Sequence, residues 1–438
     1  MREYLVALCV AWIGTYLCTG VVREGAIRFG AVTALRDRDV HTVPTPRLGG
    51  VGMYLGMLAA FLVASKMPML HEWVYASTTT VHALLWGTGI LILLGIADDR
   101  WGVDAVIKLA GQTLAASVVV LNGVEIQWLP IPGLGLFVFD PTLGAVVSIL
   151  IVVVMVNAVN FVDGLDGLAA GTVGIGALVF FVYAYRLQSG YQIFGAAPGT
   201  LVVAVVAGMC LGFLCHNWSP ARIFMGDSGS MLLGMLMATA TILLCGHIDP
   251  DQIRQAAGSQ TFATHKTLPV LILPLVLPFT ILALPLADMA MAVIRRTKAG
   301  RSPFAADKEH MHHRLLEIGH SRVRAVLIMY FWSALISVTV VMFSVTTQSR
   351  PLIYIAMATM LLGLVLLLMP RARRHLDDRE QRRLLAAEQA RAAAARPPSP
   401  GAGRSGHRAA ASGSGPTVTE AVTEAFSTAG PADSRSRP

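Results

Sequence analysis

Only 14% of the 438 residues are Asp, Glu, Lys or Arg, against 55% hydrophobic residues, where a soluble domain holds about a quarter charged. Too few charges remain to coat a water-facing surface, so most of the chain must face lipid or other helices. The net charge of +8 reads as an orientation signal and not as a nucleic-acid footprint, because basic residues favour the cytoplasmic side of membrane proteins.

The apolar runs are long and continuous, as needed to cross a bilayer core about 30 Å thick with roughly 20 helical residues each. The shorter, alternating spans of a β-barrel are not the pattern here. The sequence therefore predicts an all-α, polytopic membrane helical bundle of about eleven transmembrane helices. They fall near 4–22, 48–65, 82–97, 106–121, 142–161, 167–185, 200–217, 228–246, 268–294, 323–346 and 351–369. The first run is read as a span and not as a cleaved leader: no small-x-small cleavage pattern closes it, and cleavage would export the arginine-rich loop behind it.

An odd number of spans puts the termini on opposite sides, and charge decides which. The loop after the first span holds Arg23, Arg28, Arg36, Arg38 and Arg47, and the loop after the ninth holds Arg295, Arg296, Lys298, Arg301, Lys308, Arg314, Arg322 and Arg324. The opposite loops carry Lys66, Arg186, Arg254, Lys266 and Arg350. This asymmetry predicts an amino terminus outside and a carboxyl terminus in the cytoplasm. Cys9, Cys18, Cys210, Cys215 and Cys245 lie in or beside apolar runs without a Cys-x-x-Cys pairing, and are read as small core residues. Residues 1–370 form the membrane domain. Residues 371–438, a charged alanine-rich stretch followed by Pro, Gly, Ser and Ala, are expected to be a cytoplasmic disordered tail.

On this topology most carboxylates gather on the cytoplasmic side. Asp98 and Asp99 close the third span; Asn160, Asp163 and Asp166 follow the fifth in Asn157-Ala158-Val159-Asn160-Phe161-Val162-Asp163-Gly164-Leu165-Asp166-Gly167; Asp227 opens the eighth in Phe224-Met225-Gly226-Asp227-Ser228-Gly229-Ser230. Each has a bland reading alone: a helix cap for Asp227, turn residues for Asp163 and Asp166, a lipid boundary for the Asp pair. Together they place repelling charges at one membrane face, which calls for a cation nearby. Hard oxygen donors without cysteine favour Mg2+, or Mn2+, over zinc. Asn160 and Asp227 suit a half-built site completed by water and phosphate.

The loop after the ninth span supplies the opposite charge in Asp307-Lys308-Glu309-His310-Met311-His312-His313-Arg314. The His-Glu-x-x-His zinc order is absent, and with Arg314 adjacent the run reads as an anion clamp. A solvated basic loop is the plainer alternative. Pro44-Thr45-Pro46-Arg47-Leu48-Gly49-Gly50-Val51-Gly52 leads into the second span, with prolines that stiffen the entry and glycines that permit close approach.

Taken in order, Pro44–Gly52, Asp98-Asp99, Asn157–Gly167, Phe224–Gly229 and His310–Arg314 resemble the polyprenyl-phosphate N-acetylhexosamine-1-phosphate transferases. That family also includes the phospho-N-acetylmuramoyl-pentapeptide transferases. The resemblance spans roughly residues 1–370, and its asparagine-aspartate and Met-Gly-Asp-Ser segments are the specific ones. It implies attack of polyprenyl phosphate on the sugar-bearing phosphate of a UDP-sugar, with release of UMP, as the first step of a cell-envelope glycan. It further implies Asn160 and Asp227 as magnesium ligands and Asp98 or Asp99 as the group that activates the lipid phosphate. Asp163 and Asp166 would hold the metal site or nucleotide, with His310, His312, His313, Arg314 and Arg47 on the substrate. The lysine that often follows the Asp-Asp pair closely is not near it in sequence; Lys108, further along, is the candidate for that role.

Met311 interrupts the histidine triplet usual in the peptidoglycan branch, so UDP-N-acetylglucosamine is the favoured donor and the muramoyl-pentapeptide nucleotide the alternative. The expected partners are that donor, the polyprenyl phosphate carrier and membrane lipids; a homodimer is compatible with the sequence, and no nucleic acid is expected. A transporter or flippase is the competing class, but such proteins place their charged sites near the midplane and not at one boundary.

Overall fold

A computed structural model describes residues 1–28, 45–76, 79–131, 135–190, 192–246, 290, 293–298, 300, 320–345 and 359. The chain divides into two units, Met1–Leu376 and Asp377–Pro438, and every described residue lies in the first. Nearly all of the candidate spans at 351–369 and 268–294, the His310–Arg314 run and the tail fall outside the described residues.

Helices dominate, because continuous apolar sequence in lipid must satisfy each backbone N–H and C=O within its own segment. In chain order they are α1 (Arg2–Arg28), α2 (Gly49–Ala64), a short α3 (Pro68–Leu70) that widens into a π turn at His71–Tyr75, α4 (Thr80–Trp101) and α5 (Ala105–Leu121). After them come α6 (Pro141–Val162), α7 (Leu168–Gly190), α8 (Ala197–Asn217), α9 (Gly226–Gly246) and α10 (Arg322–Val345). Local sequence sets several ends. Asp104 and Asp140 cap α5 and α6 by accepting from Val106 N at 2.8 Å and Thr142 N at 3.1 Å, and Pro141 occupies the first helical position, where its missing N–H costs nothing.

Seven of these helices are long and apolar enough to cross a membrane. Gly49–Ala64 with Pro68–Tyr75 passes the same test as a pair bent by 92°, and Ala105–Leu121 is apolar but shorter. One departure from the all-helical expectation is a hairpin on the α5–α6 connection, in which β1 (Trp128–Ile131) pairs antiparallel with β2 (Gly135–Val138), Trp128 opposite Val138.

The core gathers around α9, which packs on α2, α4, α6 and α8 and buries Met231, Leu232, Met235, Leu236 and Leu243. Outside it, α1 lies on α2 and α8 and turns Trp12, Ile13, Leu17 and Val21 outward. Outward apolar side chains cost nothing in a bundle whose surroundings are as apolar as leucine. The same reasoning corrects the cysteine reading. Cys210 is buried, but Cys9 and Cys215 are exposed and Cys18 is half-buried, since an outward thiol in a lipid-facing helix needs no core.

Successive helices alternate in direction. The ends of α4, α6 and α8 and the starts of α2, α5, α7 and α9 therefore share one end of the bundle. At the other end Glu3 accepts from Met69 N at 3.2 Å and Leu70 N at 2.9 Å. Beside it the buried Tyr4 hydroxyl donates to Gln188 Oε1 at 2.7 Å, its ring edge-on to Phe181.

Candidate active site

Asp98 and Asp99 occupy successive positions in the last turn of α4, about 100° apart around the axis, and take different partners. Asp98 Oδ1 accepts from Val103 N at 2.8 Å, and its Oδ2 accepts from Lys108 Nζ at 3.2 Å. Lys108 also pairs with Asp227 Oδ2. The lysine that is remote from the Asp pair in sequence thus bridges it to the start of α9, because α5 folds back along α4 after the turn at Gly102.

Asp99 turns beneath the first turn of α9. Its Oδ1 accepts from Asp227 N at 2.9 Å, and its Oδ2 accepts from Ser228 N at 3.2 Å and Ser228 Oγ at 2.9 Å. It therefore acts as a cap donated by another helix, neutralising two of the N–H groups that a helix start leaves unpaired. Gly226 makes room for it. With φ at +71° the residue is in the left-handed region, and an added Cβ would lie 2.5 and 2.6 Å from the two Asp99 oxygens.

The entry to α2 braces the same point. Phe224 N donates to Pro46 O at 2.8 Å, while Gly49 N and Gly50 N donate to the carbonyls of Phe224 and Met225, each at 3.0 Å. This carries Arg47 to the acidic cluster.

Asn160 ends α6 with its Nδ2 donating to Ser230 Oγ at 2.9 Å, and Ser230 Oγ donates to Gly226 O at 3.0 Å. With the amide nitrogen committed to α9, the oxygen is the atom that a cation would take. Asp166, buried, accepts from Ala221 N at 3.2 Å. Asn217 joins the same two loops, accepting from Gly167 N at 2.8 Å and donating to Ile223 O at 2.9 Å. Tyr330 of α10 donates to Gly167 O at 2.5 Å.

Asp163, just past α6, has its carboxyl pushed up to about 7. Burial is the main cause, and the neighbouring Asp99 and Asp166 add to it, against the Arg47 charge and a hydrogen bond from the Gly226 backbone. The Arg47 charge does not offset the burial and the neighbouring carboxylates.

The donor set fits magnesium. It is made of hard oxygens, and among the described residues no group of three or more His, Cys, Asp or Glu side chains converges as a closed cage. Magnesium asks for no such cage, taking one or two carboxylates and completing its shell with water and phosphates. Arg47, Asp98, Asp99, Lys108, Asn160, Asp163, Asp166 and Asp227 are thus brought to one end of the bundle. His310, His312, His313 and Arg314 lie outside the described residues.

A family model described as glycosyl transferase family 4 matches residues 81–245. The chain is 41% identical over 342 residues to the decaprenyl-phosphate N-acetylglucosaminephosphotransferase of Mycolicibacterium smegmatis, covering 77% of this chain and 81% of that one. The chain belongs to glycosyl transferase family 4. The Mycobacterium tuberculosis protein of the same name is 40% identical over 341 residues, with the same coverage of 77% and 81%. The probable undecaprenyl-phosphate N-acetylglucosaminyl 1-phosphate transferase of Bacillus subtilis is 30% identical over 347 residues, 79% of this chain and 87% of that one.

The glycosyl transferase family 4 match contains every clustered residue except Arg47. Sequence reasoning missed Ser228 and Ser230, although both stand in the Met-Gly-Asp-Ser segment, and it missed Asn217, a polar residue closing an apolar run just before that segment. An amide or hydroxyl at a helix end next to an acidic motif was the available signal.

Proposed function

We propose that the chain transfers N-acetylglucosamine 1-phosphate from UDP-N-acetylglucosamine to a membrane polyprenyl phosphate, giving polyprenyl diphosphate-N-acetylglucosamine and UMP. An oxygen of the lipid phosphate bonds to the sugar-bearing phosphorus, and the bond from that phosphorus to the bridging oxygen breaks, so that the oxygen leaves with UMP. The observation that carries the reading is the meeting of Asp98, Lys108, Asn160 and Asp227 at one end of an apolar bundle. They lie within the stretch matched by a family whose curated relatives are named for this phosphosugar transfer to a prenyl phosphate.

Such transfers gain mostly from positioning and charge stabilisation. Lys108, held between Asp98 and Asp227, is placed to meet the charge that builds on the phosphoryl oxygens. Asp98 or Asp99 is the carboxylate that accepts a proton from the lipid phosphate; Asp98 stands beside Lys108, and Asp99 caps α9. Asn160 and Asp227 would hold Mg2+, which when bound neutralises diphosphate charge. Asp163 and Asp166 shape the nucleotide side, and Arg47, with His310, His312, His313 and Arg314, grips the diphosphate or uridine end.

The finer topology belongs to the same proposal: about eleven spans, amino terminus outside, and the site at the cytoplasmic face of the cell membrane. The described basic residues support it. In the stretch from α1 to α9, Arg23, Arg28, Arg47, Arg100, Lys108 and Arg222 lie at the site end, and Arg2, Lys66 and Arg186 at the other. Residues 371–438 are a tail without a part in the chemistry.

Membranes overproducing the chain, given labelled UDP-N-acetylglucosamine, polyprenyl phosphate and Mg2+, are expected to move label into the organic phase with release of UMP. Chelation abolishes the transfer, added Mg2+ restores it, and Asp227→Ala lowers it by about 100-fold or more. Transfer from the muramoyl-pentapeptide nucleotide and none from UDP-N-acetylglucosamine would overturn the assignment of the sugar.

A further inference from the structure

Gln112 and Asn157 touch none of the acidic residues, yet they are polar side chains set within apolar helices, where an amide needs a partner. Gln112, on α5, is 1% exposed. Asn157 Nδ2 donates to Gln112 Oε1 at 2.7 Å and to the Val153 carbonyl of its own helix at 2.8 Å. Gln112 Nε2 donates in turn to Met231 Sδ at 3.4 Å. Two amides thus tie α5 to α6 and α9.

Their positions along those helices matter more than their mere satisfaction. Gln112 is one turn beyond Lys108, Met231 is one turn beyond Asp227, and Asn157 is one turn before Asn160. One turn rises about 5.4 Å. The amides therefore form a layer directly beneath the layer that holds Lys108, Asp227 and Asn160.

Apart from the Lys108 ion pairs at its start and the Thr79 hydroxyl donating to the Asn122 carbonyl at its far end, this amide pair is the polar tie that fixes the register of α5 among the described residues. The helix has 17 residues, packs on α4 and α6, and turns Val106, Ile107, Leu109 and Leu114 outward. Apolar contact alone holds a helix weakly against sliding and rotation in lipid, because the alternative surroundings are equally apolar. A directional hydrogen bond resists both. Lys108 must keep its register to within a fraction of a turn to reach Asp98 and Asp227 together.

We propose that the Gln112–Asn157 pair is a positioning device which sets α5 against α6 and α9 and so holds Lys108 in the transfer site. This rests on the transferase reading above. Gln112 and Asn157 are positioning residues, acting on substrate through Lys108 and Asn160.

The test uses the full-length protein in lipid nanodiscs. Gln112→Leu keeps the side-chain volume near its original value and removes both hydrogen bonds. Its kcat is expected to fall about 10- to 100-fold, with KM for the nucleotide sugar within about threefold. Lys108→Met, costly in the native background, should cost less than about threefold more when added to Gln112→Leu. The exchanged pair, Gln112→Asn with Asn157→Gln, should restore most of kcat, whereas either single exchange should not.

A second measurement does not depend on turnover. Lys108→Cys and Asp227→Cys, in a chain whose native cysteines are alanine, are joined by a short bifunctional thiol reagent, and the linked peptides are quantified by mass spectrometry. Adding Gln112→Leu should lower the yield at least about fivefold if register is lost. Native kcat and native crosslinking in Gln112→Leu would overturn the proposal, as would a loss of activity that follows the loss of folded protein and is not rescued by the exchanged pair. A native chain inert toward both nucleotide sugars would remove the transferase reading instead, and the crosslink would still decide whether the amides set the register.

Discussion

Asp98 and Asp99 are neighbours in the chain, yet the last turn of α4 sends one to Lys108 and the other beneath α9. Replacing them should therefore have different physical consequences. Asp99→Ala strips the acceptor from two backbone N–H groups and the Ser228 hydroxyl, a loss of about 2 kcal/mol or more for a buried cap. Its melting temperature in detergent should lie below that of Asp98→Ala, which strips the acceptor from one backbone N–H, that of Val103, and leaves Lys108 paired with Asp227. A melting curve that ranks them the other way would remove the capping role. Asp163 makes a second prediction at this scale. Its folded carboxyl titrates near 7 against an ordinary value of 3.8, so the native state prefers the protonated form. Its ionisation penalty is absent below the unfolded value and grows as pH rises toward 7. Metal-free protein should accordingly melt higher at pH 5.5 than at pH 8, and Mg2+ should recover stability chiefly at pH 8. All eight described site residues were legible as polar positions at helix ends. Their pairings were not, because whether Lys108 reaches Asp227 depends on how two helices that share no local sequence are set against each other.

Among the elements, α10 lies beyond the stretch that the family model matches and still reaches the acidic loop through Tyr330. Tyr330→Phe keeps the ring against Trp218 and removes only the hydroxyl, leaving the Gly167 carbonyl without that donor. The expected cost is about 1 kcal/mol in stability, with a fall in kcat if the loop carrying Asp163 and Asp166 loosens. Unchanged melting and turnover would show that α10 merely leans on α7. Helix existence was readable from apolar run length for α1, α2 and α4 to α10. The bend after Ala64 was less so, although Pro68 marks it, and the hairpin was not readable at all. Its strands are four residues each, too short for alternation to declare itself, and Pro130 within β1 argues against a strand when read alone.

For the whole molecule, the clustered acidic residues of the described part sit at one end of an apolar bundle. A nucleotide sugar arriving from water and a phosphate on a membrane-bound lipid can meet only at such a boundary. The tail carries none of the clustered residues, so a chain ending at Leu376 should transfer label at a rate within about twofold of the full length, as expected for a segment too polar to bury a core. A large loss of transfer in folded, truncated protein would give residues 377–438 a part in the reaction. Composition alone gave the membrane class, but it could not show how the helices would be tied at the end away from the site. There Glu3 and Tyr4 tie α1 to Met69, Leu70 and Gln188. The opening turn of α1 is thereby a structural keystone and a poor place for an affinity handle: a tag fused there without a spacer would compete with these contacts, whereas one appended after the tail would leave them intact.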